Sequence, residues 1–365
     1  MRLLRHCDWN RFIAVTVDPA RDEPASRSIE DRREHLVVRF SAAVAAILIA
    51  GFLVASAVSA AQGDYPNRPV RLVSGYAPGG TTSLVGRLIG QKLTESWGHQ
   101  IVLDNRPGGG TLIGADIVAK SPPDGYTLML ADSVHVLAPL LLKAPYDPIR
   151  DFTPIATVAA SELVLVLHPS LPPGNLAEFL AYAKARPGKL HYASAAIAGA
   201  QHLATEMFNT TAGIQLLHVP YKGAGPALIA LVGGEVNLYF ATVATGAPYA
   251  RAGKVKPIAV TGKKRSPLLP EVPTFEEAGL PNFYDQKRPG FGILGPARIP
   301  RPIVDKLSAE VARYVGQQEF RETLIGLGLE PKPGTPEEYA ELLKAGLAWN
   351  TSTIAALRKK GVKFE

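Results

Sequence analysis

Pro78-Gly79-Gly80, followed by Thr81, Thr82 and Ser83, separates a short apolar stretch at Leu72-Val73 from a periodic segment. In that segment Val85, Ile89, Leu93 and Trp97 recur every four residues, the pattern of an amphipathic helix. Glycine lets backbone come close to a ligand, and a helix N-terminus presents unpaired N–H groups where the helix dipole favours an anion. A second junction of the same kind lies further on: the strand Leu190 to Ala193, the small-residue turn Ser194 to Ala200, and a helix carrying His202, Leu203, Met207 and Phe208. The chemistry that these two junctions could perform is anion binding by backbone, at Tyr76–Ser83 and at Ser194–His202.

Other chemistry has less support. Gly108-x-Gly110-x-x-x-Gly114 opens a helix after a strand, and Asp132 ends the next strand. The set looks like a dinucleotide fingerprint, but the spacing differs and Asp104-Asn105-Arg106-Pro107 intervenes. The chain has no Gly-x-Ser-x-Gly elbow, no His-Glu-x-x-His and no phosphate loop ending in Gly-Lys-Ser/Thr. His99, His135, His168, His191 and His218 fall on strands or element ends without ligand spacing, which leaves His202 as the histidine to consider for a site. Cys7 is the only cysteine, so the rest of the chain offers neither a disulfide framework nor a thiolate metal site. The net charge of +7 is spread thinly, with no basic run interleaved with aromatics of the kind that binds nucleic acid.

Phe40 to Ala61 is uncharged, follows Arg32, Arg33 and Arg39, and ends in small residues. This is the pattern of a secretory signal peptide, with Ser59 and Ala61 placing cleavage before Gln62 and the mature protein in the periplasm.

The elements that must position the two junctions alternate along the chain. Strands are expected at Gln100–Leu103, Tyr126–Leu130, Leu163–Leu167, Gln215–Val219, around Val236 to Phe240, and at Val255–Val260. Asn175 to Glu178, Thr274 to Glu277 and Thr335 to Glu338 read as capping boxes that open helices. Phe291–Leu294 reads as a strand returning to the first sheet, before a helical tail with Val304, Leu307, Val311 and Tyr314 on one face. Alternation of this kind argues for α/β layers with mainly parallel sheets. With no low-complexity linker after Tyr65, two domains would share short crossings near 163–167 and 287–291.

In this order the motifs resemble one family over Tyr65 to Gly361. They are Tyr65-Pro-Asn-Arg-Pro, Ala77-Pro-Gly-Gly80, Asn105-Arg-Pro-Gly-Gly109, Pro123-Asp-Gly-Tyr-Thr-Leu128, His218-Val-Pro-Tyr-Lys-Gly223 and Pro270-Glu-Val-Pro-Thr274. The chain is similar to the periplasmic substrate-binding proteins of tripartite tricarboxylate transporters, the Bug-type receptors. The resemblance implies an α/β, two-domain periplasmic binding protein of type II-like form, each domain a mainly parallel sheet flanked by helices, with two crossing strands as hinge. It implies a first domain of residues 62–163 and 287–365, a second of 164–286, and a presequence of 1–61 that is removed. The function implied is that of a monomeric receptor, not an enzyme, without cofactor or metal. It would carry a small organic carboxylate to membrane permease subunits. The ligand residues expected are Tyr76, Ala77, Gly79, Gly80, Thr81, Ser83, Asp132, Ser133, Ser194, Ala196, Ala198, Gly199, His202, Tyr221 and Ala241. The family usually has Asp at Ser83 and Ala241, glycines at Ala196 and Ala198, and frequently Trp at Gly290. These replacements argue against citrate-like or amino-acid ligands and for one with a larger apolar part. The alternatives are an exported enzyme using Asp132, His202, Tyr221 and Lys222 in the same cleft, and a degenerate receptor acting as an interaction protein.

Overall fold

Apolar strands alternate with amphipathic helices over most of the computed structural model, which describes residues 65–281, 283 and 289–364. The signal sequence, its cleavage point before Gln62, Cys7 and residues 287–288 of the second expected crossing lie outside these. The chain begins with β1 (Val70–Ser74), α1 (Thr81–Trp97), β2 (Ile101–Asn105), α2 (Leu112–Ala119), β3 (Thr127–Ala131), α3 (Val134–Leu141) and β4 (Phe152–Ala160). It continues with β5 (Leu163–Leu167), α4 (Leu176–Lys184), β6 (Leu190–Ser194), α5 (Ala200–Ala212), β7 (Leu216–Pro220), α6 (Ala224–Val232), β8 (Leu238–Thr242), α7 (Val243–Arg251) and β9 (Lys256–Val260). The last elements are β10 (Phe291–Pro296), α8 (Arg301–Gly316), α9 (Gln318–Gly326), β11 (Glu330–Gly334) and α10 (Pro336–Lys359).

Two sheets result, in the orders β11-β4-β10-β3-β1-β2 and β7-β6-β8-β5-β9. Each keeps a parallel core, β1 between β2 and β3 in one and β6 between β7 and β8 in the other. The remaining pairs are antiparallel, so the sheets are mixed where mainly parallel ones were expected. The cause is connectivity: a parallel pair needs a crossover, whereas β10 enters the first sheet from the other and slots between β3 and β4 without one. Only Ser161 and Glu162 separate β4 in the first sheet from β5 in the second.

Burial follows the sequence pattern closely. Val85, Ile89 and Leu93 of α1 are buried, each contributing roughly 1.5–3 kcal/mol of apolar transfer. β5 is buried on both faces, Val164 and Val166 in one core and Leu163, Leu165 and Leu167 in another, which accounts for its unbroken apolar run. Helices α8 and α10 pack on β4, and α10 also lies against α3. The core around Val73, Met129 and Leu294 of the first sheet continues into Val164, Val166 and Tyr239 of the second. The two sheets are therefore in apposition.

The capping boxes behave differently from one another. Asn175 and Thr335 both accept from the backbone N–H of the residue three ahead and start helices. Of these two only the Thr335 box is reciprocal, since Glu178 accepts from the Gly174 N–H at 2.7 Å and not from that of Asn175. Thr274 and Glu277 bond reciprocally, at 2.8 and 3.1 Å, but no helix follows. Gly279 turns left-handed there, at φ +91°, and ends the segment after one turn.

Candidate functional site

The first junction is tied down from three sides. Beyond β1, the Tyr76 carbonyl accepts from Asn105 Nδ2 at 2.8 Å, and the same amide reaches Ser83 Oγ at 3.2 Å. Tyr76 OH donates to Asp132 Oδ2 at 2.9 Å, while Asp132 Oδ1 accepts from the Val134 N–H that opens α3. Burial, and then the Asp132 charge, holds the Tyr76 hydroxyl well above its ordinary pKa, so it remains a donor at any physiological pH. Gly80 stands at the N-cap of α1 and provides no side-chain cap.

The second junction is clasped from below. Ser194 Oγ donates to the Ala196 carbonyl at 2.9 Å and lies 2.6 Å from His218 Nε2. Ala198 adopts a left-handed conformation, at φ +57°, and its N–H donates to His202 Nδ1 at 3.2 Å. Gly199 then forms the N-cap of α5, again without a side-chain bond. His202 is only 1% exposed, with its ring centroid 3.8 Å from that of His218. Burial, with a smaller contribution from His218, lowers His202 to about 3, and burial lowers His218 to about 4, so both rings are neutral. His202 was expected to face the ligand; it lies instead beneath the loop and holds it.

Each junction also meets backbone from the other half of the fold. The Ala77 N–H donates across the seam to the Lys222 carbonyl at 2.9 Å, which sets the Pro78–Gly80 turn against the start of α6. A Cβ placed on Gly225 would come within 2.9 Å of the Pro78 carbonyl oxygen, so this meeting of backbones requires glycine. The Ser194–Gly199 loop meets a different partner, Gly110, where a Cβ would lie 2.8 Å from the Ile197 carbonyl oxygen. Between these contacts, Thr81 Oγ1 at the start of α1 lies 2.5 Å from Thr242 Oγ1 at the N-cap of α7, which in turn lies 2.7 Å from Thr245 Oγ1. Sequence reasoning missed this hydroxyl chain. Its only signal was Thr-x-x-Thr at the end of a strand.

A cavity of about 1200 Å³ opens beside the threonines. Its lining includes the polar residues Asp132, Ser133, Gln201 and Thr242, the basic residues Lys263, Lys264, Arg265, Arg321 and Lys332, and the apolar Leu163, Val260, Phe275 and Phe291, which are themselves buried. Of the expected ligand residues, Asp132 and Ser133 lie in that lining. Neither the expected residues of the Tyr76–Ser83 junction nor Ser194, Ala196, Ala198, Gly199, His202, Tyr221 or Ala241 lines it. The apolar lining thus comes from residues other than Ala196, Ala198 and Ala241. Among the described residues no cluster of three or more His, Cys, Asp or Glu side chains could hold a metal, and no helix is long and apolar enough to cross a membrane.

A family model described as the tripartite tricarboxylate transporter family receptor matches residues 85–358. The chain belongs to this family. A relative encoded in the tcbD–tcbE intergenic region of Pseudomonas sp. (strain P51) is 36% identical, with 82% of this chain and 90% of the relative covered. BugT of Bordetella pertussis is 34% identical over 81% of this chain and 90% of its own. Among solved structures, a Rhodopseudomonas palustris protein with adipate superposes with a TM-score of 0.78 at 35% identity, covering 80% of this chain and 98% of that one. The periplasmic binding protein BugD gives 0.76 at 33%, with 82% and 99% covered. MatC from R. palustris with bound malate gives 0.75 at 33%, with 80% and 100% covered. In this family receptor Gly290 has φ +71°, and a Cβ there would lie 2.6 Å from the Ala159 carbonyl oxygen, so the backbone has no room for a Trp.

Proposed function

We propose that this receptor is a periplasmic, monomeric solute-binding protein without catalytic activity. It takes a small organic carboxylate into the cleft between its two sheets and presents it to the membrane permease of a tripartite tricarboxylate transporter. The two sheets would form the two domains, residues 62–163 with 287–365 and residues 164–286, and ligand contacts made to both at once would select the closed state. The observation that carries this reading is the Thr81–Thr242 contact beside the cavity. It brings the N-termini of α1 and α7, one from each sheet, to the same place, and neither helix has a side-chain cap. Helix N-termini favour anions, and hydroxyls and N–H groups donate to them.

Family relatives bind adipate and malate, which supports a carboxylate as ligand. Lys263, Lys264, Arg265, Arg321 and Lys332 in the cavity lining add positive charge that favours an anion. Native mass spectrometry of freshly purified protein identifies any retained ligand, and calorimetry then compares each acid with its amide. Each charge-assisted hydrogen bond contributes roughly 1.5–3 kcal/mol, so the acid should bind clearly more tightly. Equal binding of acid and amide would rule out an anion cradle.

A further inference from the structure

We propose that His202 is the positioning residue of the second ligand loop: its Nδ1 holds Ala198 in a left-handed conformation that glycine would adopt unaided, and so sets which N–H groups the loop offers to the cleft. The inference rests on the receptor reading above and adds to it a specific role for a histidine.

Three observations carry it. Ala198 has φ +57°, a conformation in which Cβ crowds the following carbonyl and which alanine avoids unless something holds it there. Its N–H donates to His202 Nδ1 at 3.2 Å, on a ring that is only 1% exposed. The pair also grips the other end of the loop, because His218 Nε2 lies 2.6 Å from Ser194 Oγ. His202 itself has little freedom to move. His218 stacks on one side at 3.8 Å and 24°, and Phe364, beyond the end of α10, meets the ring at 5.5 Å. Residues 194 to 198 are thus fixed at both ends by two stacked imidazoles.

The consequence for binding is specific. With the Ala198 N–H engaged by His202 and the Gly199 N–H by the Ala196 carbonyl at 3.1 Å, the loop is left to offer an anion the first-turn N–H groups of α5 beyond Ala200. Gln201 of that first turn lines the cavity. A Cβ on Gly199 would lie 2.9 Å from the Ala196 carbonyl oxygen, so position 199 must stay glycine while position 198 depends on the histidine.

The test compares the purified receptor with His202→Leu, His202→Asn, Ala198→Gly and the double variant His202→Leu/Ala198→Gly. Nuclear magnetic resonance reads the exchange protection of the residue-198 amide and the imidazole tautomer. Calorimetry reads binding of two probes, adipate and isocaproate. In the parent protein the Ala198 amide is protected and His202 carries its proton on Nε2. His202→Leu loses that protection and binds on the order of tenfold more weakly, the equivalent of one lost hydrogen bond. His202→Asn, which keeps an acceptor near the Nδ1 position, retains both. Ala198→Gly in the His202→Leu background restores binding, because glycine needs no clamp. Unchanged amide protection in His202→Leu, or failure of Ala198→Gly to rescue it, overturns the proposal and leaves His202 a packing residue. If neither probe binds the parent protein, the carboxylate reading fails for those acids, while the amide and tautomer measurements still decide the role of His202.

Discussion

Thr81 and Thr242 meet hydroxyl to hydroxyl at 2.5 Å, one at the start of α1 in the first sheet's layer and the other at the end of β8 in the second sheet. Both are buried, and Thr245 extends the chain from Thr242 at 2.7 Å. A contact of this kind couples the stability of the two halves. In a double-mutant cycle of Thr81→Val and Thr242→Val, the coupling should be about 1 kcal/mol, within the range for residues sharing a hydrogen bond. Strict additivity in urea unfolding would mean that the two hydroxyls do not meet in solution.

The seam between Pro78 and Gly225 makes a steric prediction. Gly225 lies in the first turn of α6, where a side chain is tolerated by the helix but collides with the Pro78 carbonyl across the seam. Gly225→Val should therefore hold the halves apart, giving a larger radius of gyration in solution scattering and carboxylate binding weaker by about tenfold or more. An unchanged scattering profile would show that the turns do not meet. Gly80→Val acts at the same seam in a milder way, since its Cβ would lie 3.4 Å from Ala224 Cβ.

Acid should weaken the fold before most carboxylates are protonated. Burial lowers His202 to about 3 and His218 and His135 to about 4. The unfolded chain binds protons on these rings as the pH falls through about 6.5, while the folded chain does not until about 4. Stability is therefore greatest above pH 6.5 and declines between about 6.5 and 4. Glu206, raised by burial and bonded by Tyr192 OH at 2.6 Å, opposes this around and above its ordinary range. Urea midpoints measured from pH 7.5 down to 4.5 should fall, and His218→Gln should flatten the slope. A level profile in the parent protein would contradict burial of neutral rings.

Export makes the fourth prediction. The apolar run Phe40–Ala61 with its small-residue end places the mature N-terminus at or close to Gln62. Intact-mass analysis of periplasmic protein reads this directly. Recovery of the uncleaved segment in the inner membrane would overturn it.

Periodicity alone made much of the architecture legible. The four-residue recurrence from Val85 to Leu93, the apolar run Leu163–Leu167, the N-cap at Asn175 and the capping box at Thr335 all came from local pattern, and local pattern is what burial and capping act on. The order of short motifs likewise pointed to the family. What local pattern could not carry was direction and orientation. Nothing in Phe291–Pro296 says that β10 runs antiparallel between β3 and β4, because strand polarity depends on where the chain arrives from. Nothing in Thr242-Val-Ala-Thr245 says that its hydroxyls meet Thr81, a residue distant in sequence and on another layer. His202 shows the same limit most plainly. Its place on the first turn of a helix after a glycine was readable, but whether the ring faced the cleft or the loop above it was settled by the stacking of His218 and the approach of Phe364, both brought there only by the folded chain.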